Sequence, residues 1–128
     1  EFSATIRPRQ ALGPDTVSYT EVAPEVFLAG ESWESFASRW EAFRRLDDVL
    51  ASWGYFHSGL AEAAGLPPER IDVRIAAARV LGKRSGRVEQ CAERLGVTVE
   101  AAEPGRCARR LALLATIVRE VCPARLGG

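Results

Sequence analysis

The sequence predicts an α/β domain with more helix than strand, and three features carry that reading. Apolar residues recur at helical spacing in several separated segments. Two short runs, 2–7 and 49–53, have the length and composition of strands and stop at Pro8 and Gly54. Gly or Pro punctuates nearly every change of period. A length of 128 residues suits one modest domain, so residues 1–128 are read as a single unit.

Taken in order, Phe2 to Arg7 alternates loosely and Pro8 ends it, as in a short edge strand. Residues 9–25 hold Gly13, Pro14, Asp15 and Pro24 and read as a loop, with one turn of helix at 24–28. Ser32 is the expected N-cap of a helix whose inner face is Trp33, Phe36, Trp40 and Phe43. Those aromatic rings at helical spacing are core side chains rather than a cofactor box. A strand at 49–53 follows, then a helix at about 56–64 ended by Gly65. Residues 71–81 contain a helix stopped by Gly82. Ser85 is placed to cap the next helix, which carries Val88, Cys91 and Leu95 and stops at Gly96. The last helix, 106–121, is expected to bury Cys107, Leu111, Leu114, Val118 and Val121, with Pro123 beyond it.

Composition removes several function classes. Formal net charge is zero and the pI about 6.9, so nucleic acid could be attracted only by a local patch. The longest apolar stretches fall far short of the ~20 residues of a membrane span, and no secretory signal pattern is visible. Cys91, Cys107 and Cys122 lack any Cys-x-x-Cys spacing; they read as reduced thiols of a cytoplasmic protein rather than a zinc site or disulfide framework. With no methionine and an opening Glu1-Phe2, the chain reads as a piece of a longer protein.

Several strings, in order, resemble the DEDDh (DnaQ-like) 3′–5′ exonucleases. Ile6-Arg7-Pro8 precedes Thr20-Glu21-Val22-Ala23-Pro24-Glu25. The strand at 49–53 closes as Ser52-Trp53-Gly54-Tyr55-Phe56-His57. Ile71-Asp72-Val73 and Leu95-Gly96-Val97 come next, and Arg106-Cys107-Ala108-Arg109-Arg110-Leu111-Ala112 stands where the family's last motif begins. The resemblance spans nearly the whole chain and implies the later two-thirds of a ribonuclease-H-like domain, a mixed sheet flanked by helices and incomplete at its N-terminus.

Members of that family hydrolyse phosphodiesters with two divalent metals held by carboxylates, and a histidine helps form the attacking hydroxide. The Asp-x-Glu motif belongs to a strand ahead of this chain. His57 stands at the second-motif aspartate, Arg106 at the histidine and Leu111 at the last aspartate. Arginine is no base near neutral pH, and leucine offers no ligand atom. The resemblance therefore implies a degenerate module without metal or other cofactor, retained for nucleic-acid or protein binding within a larger protein or assembly. Magnesium or manganese would enter only if the motifs are displaced and the enzyme is active. Arg106, Arg109 and Arg110, with His57, are the candidate nucleic-acid contacts. Arg106, Arg109 and Arg110 crowd cations into a helix's first turn, against its dipole, unless something negative faces them. Lys83, Arg84 and Arg87 form a second basic group, read as a solvated loop. A structural interaction domain without nucleic acid is the other reading. Because the family's sheet order is 3-2-1-4-5, residues 2–7 and 49–53 should not be neighbours. A preceding segment or another protein chain would then complete the sheet.

Overall fold

A computed structural model of the chain describes residues 2–54, 62, 65, 70–100 and 105–121. The chain is mixed α/β: six helices and a two-stranded parallel sheet among the described residues. It divides into two compact units, Glu1–Asp48 with Pro104–Arg106, and Val49–Glu103 with Cys107–Gly128.

In the first unit residues 2–7 do not form the expected strand. Ile6 makes one isolated parallel bridge to Glu31, with Arg7 N–H donating to Glu31 O at 2.7 Å and Glu31 N–H to Thr5 O at 2.8 Å. The partner segment turns into a helix immediately after Glu31, with Ser32 as its N-cap, so the pairing does not propagate. Helix α1 (Thr16–Thr20) occupies part of the segment read as loop. Its hydroxyls satisfy local carbonyls, Thr20 Oγ1 donating to Thr16 O at 2.7 Å and Ser18 Oγ to Asp15 O at 3.1 Å. Helix α2 (Pro24–Leu28) starts as expected with Pro24, whose missing N–H costs nothing in a first turn.

Helix α3 (Trp33–Phe43) is capped by Ser32, whose side chain accepts from Ser35 N–H at 3.1 Å. The Phe2 ring lies 6.0, 5.6 and 5.2 Å from those of Phe36, Trp40 and Phe43. Arg39 sits over Phe2 at 5.0 Å and pairs with Glu31 at 2.6 Å. No α3 side chain is fully buried, so the aromatic stripe packs mainly on itself and on Phe2. Gly30 fixes the approach of residues 5–7 to α2. A Cβ there would stand 2.7 Å from Thr5 O, 2.9 Å from Arg7 N and 2.9 Å from Phe27 O. Since all three are backbone atoms, Gly30→Ala should destabilise the chain by about 1–3 kcal/mol. A urea midpoint unchanged from the parent would refute that contact.

In the second unit β1 (Leu50–Ser52) pairs in parallel with β2 (Arg70–Asp72), Ala51 opposite Ile71. Helix α4 (Val73–Leu81) leaves β2 directly because Asp72 is its N-cap. The Asp72 carboxylate accepts from Arg74 N–H at 2.9 Å and from Gly54 N–H at 3.0 Å, tying the ends of both strands together. Gly82, at φ 66°, ends α4 in the left-handed conformation that favours glycine.

Helix α5 (Val88–Arg94) corrects one expectation. Its N-cap is Arg87, whose N–H donates to the Gln90 side chain at 2.9 Å. Ser85 is instead buried and donates its hydroxyl to Arg74 O at 3.0 Å. Helix α6 (Arg106–Val121) has the expected bounds but a rotated buried face. The core is Val73, Ala77, Val88, Cys91, Ala92, Leu113 and Ile117, with Trp53, Leu114, Val118 and Val121 packed against it. Leu111 is 52% exposed and Cys107 is exposed, so neither is core. The expected helix at 56–64 apart from residue 62, and with it His57, lies outside the described residues, as do Cys122 and Pro123.

Candidate functional site

Within the second unit Trp53, α4, the 84–87 loop, α5 and Arg110 of α6 line an open depression of about 720 Å³. Its frame is held by side chains reaching the loop backbone. Trp53 Nε1 donates to Gly86 O at 3.1 Å, Arg94 Nη1 to Arg84 O at 2.6 Å, and the Ser85 hydroxyl bonds α4 as described. Gly86 turns the loop at φ 72°, and a Cβ there would stand 2.5 Å from the Gln90 side-chain oxygen.

Four arginines line the opening: Arg74, Arg84, Arg87 and Arg110. Arg110 Nε stands 3.2 Å from Glu89 Oε1 without the alignment of a true hydrogen bond, so the contact is chiefly coulombic. Among the described residues, Arg74, Arg84 and Arg87 have no ion-pair partner, and all three residues are exposed. The Arg74 guanidinium lies over Gly54, whose hypothetical Cβ would be 3.4 Å from its Cζ. Clustered guanidinium forks of this kind suit planar or tetrahedral oxyanions better than point charges do.

The candidate residues of the last helix are not used as one group. Arg106 lies over the Tyr19 ring at 4.7 Å and donates from Nη1 to Tyr19 O at 3.4 Å. Arg109 is exposed on α6, and Arg110 faces the depression. Lys83, Arg84 and Arg87 were expected as a solvated loop, yet two of the three line the depression. Trp53, Arg74 and Gln90 escaped sequence reasoning as site residues. The signal available was a tryptophan immediately before a glycine, outside any helical stripe.

Among the described residues, no group of three or more His, Cys, Asp and Glu is placed to hold a metal. Burial pushes the Cys91 thiol above its usual pKa while the nearby Arg94 charge pulls the other way. Cys91 is thus a protonated core side chain rather than a nucleophile. No described helix is long and apolar enough to cross a membrane.

Comparison with protein-family models, with curated proteins and with solved structures finds no match.

Proposed function

We propose that this chain is a non-catalytic nucleic-acid-binding module, a degenerate ribonuclease-H-like relative of the 3′–5′ exonucleases working in the cytoplasm as part of a larger protein or assembly. The observation that carries the reading is the arginine-lined depression, in which three guanidinium groups have no ion-pair partner among the described residues. A chain of zero net charge that concentrates four cations at one opening is suited to a polyanion. The two-stranded β1–β2 pair found among the described residues supports completion of the sheet by a preceding segment or another protein chain, since parallel sheets are seldom so small. Loss of catalysis is supported by Arg106 and Leu111 at the family's base and ligand positions.

Titration of a labelled single-stranded oligonucleotide tests the reading. Four arginines each meeting a phosphate give a slope of log K against log salt of about −3, taking about −0.7 per contact. Absence of binding at ~50 mM salt would overturn the proposal in favour of a structural interaction domain. The same oligonucleotide, incubated with magnesium or manganese, should keep its 3′ end. Processive 3′-end trimming with either metal that His57→Ala abolishes would establish an active exonuclease instead.

A further inference from the structure

We infer that the Trp53 indole is a stacking platform for one unpaired nucleobase, so that the depression takes single-stranded rather than duplex nucleic acid. The inference rests on the nucleic-acid reading above and adds a base contact to its phosphate contacts. The ring is half-buried, packs against the core cluster and also lines the depression. Its only polar atom, Nε1, is committed to Gly86 O at 3.1 Å, which fixes the ring plane against the 84–87 loop. What the ring offers to a ligand is therefore a fixed apolar π-surface.

That surface shares its opening with Arg74, Arg84, Arg87 and Arg110. A planar ring beside guanidinium groups matches one nucleotide: the base stacks while the cations take the phosphates on either side. Paired bases already have both faces covered by their neighbours, so only an unpaired base can use the ring. A volume of about 720 Å³ is within the ~300–1,000 Å³ range of small-ligand sites. Trp33 and Trp40 belong to the α3 aromatic cluster and do not line this depression.

The test compares three probes of about 12 nucleotides on the unaltered chain: single-stranded oligothymidylate, an abasic strand with the same phosphates, and a duplex. Oligothymidylate should bind about tenfold or more tightly than the abasic strand, with a similar salt slope, and more tightly than the duplex. Trp53→Ala should abolish the preference for bases, and Trp53→Phe, which keeps a ring, should retain most of it. Equal binding of oligothymidylate and the abasic strand overturns the stacking role while leaving phosphate binding intact. Tighter duplex binding, or a Trp53→Ala chain that still prefers bases, overturns it as well. If no probe binds, the nucleic-acid reading itself is wrong and this one falls with it. Should Trp53→Ala fail to fold, the abasic comparison decides, because it needs no substitution.

Discussion

Replacing Arg74, Arg84 and Arg87 together with glutamine is expected to weaken oligonucleotide binding about a hundredfold at ~0.1 M salt. Each phosphate contact contributes about fivefold there, because affinity for a single strand scales with salt to about the −0.7 power per contact. Three lost contacts multiply to roughly two orders of magnitude, and the salt slope should fall from about −3 to about −1. The fold should tolerate the change. All three residues are exposed, and the hydrogen bonds that fix the loop use the carbonyls of Arg74 and Arg84 and the N–H of Arg87, not their guanidinium groups. A far-UV spectrum identical to the parent's would confirm that only charge was removed. Removing Arg106 and Arg109 instead should cost less, since Arg106 is engaged with Tyr19. If the triple variant binds as the parent does, or the Arg106 pair matters more, the depression is not the interface.

Much of the local architecture was legible because it depends on near neighbours in the chain. Ser32 before an aromatic stripe, Pro24 at a first turn and Gly82 after Leu81 each act through a local rule, and each element formed as expected. Failures arose where two rules competed. Ser85 is a good cap, but its hydroxyl serves Arg74 O, and Gln90 closes the turn at Arg87 instead. In α6 the apolar residues Leu111, Leu113, Leu114, Ile117 and Val118 spread over an arc of about 160°. At about 100° per residue, the stripe centred on Leu114 and Leu111 differs from that centred on Ile117 and Leu113 by about 110°, and both lie within that one continuous apolar arc. Periodicity could not decide between them; packing against Val73, Val88 and Cys91 did. That rotation also brings Arg110 onto the inner face, one turn before Leu113 and Leu114, where Glu89 meets it. The candidate site was illegible for a different reason. Arg74, Arg84 and Arg110 come from separate elements, and no local pattern announces their meeting.

Truncating Ile117 to alanine is the substitution expected to cost the second unit most, about 2–5 kcal/mol. Ile117 is the largest of the fully buried side chains and belongs to one core cluster with Val73, Ala77, Val88, Cys91, Ala92 and Leu113. Removing its outer carbons forfeits their transfer free energy and leaves a cavity that helices from three parts of the chain must collapse to fill. Ile117→Val, one methylene smaller, should cost only about 0.5–1.5 kcal/mol. Cys91 provides a reporter inside the same cluster: it is buried, and burial keeps its thiol protonated. Labelling by a thiol reagent must then await opening of the core, whereas Cys107 is exposed and reacts directly. In the regime where opening and closing are fast, the Cys91 labelling rate follows the opening equilibrium. A loss of 2–5 kcal/mol then accelerates it by roughly 30- to 3,000-fold at about 1.4 kcal/mol per decade. Site-resolved mass spectrometry separates Cys91 from the other two thiols. A graded acceleration, small for valine and large for alanine, with Cys107 unaffected, is the expected result. Equal Cys91 rates in the parent and Ile117→Ala would mean that these residues do not share a core, contrary to the packing of α6 on α4 and α5.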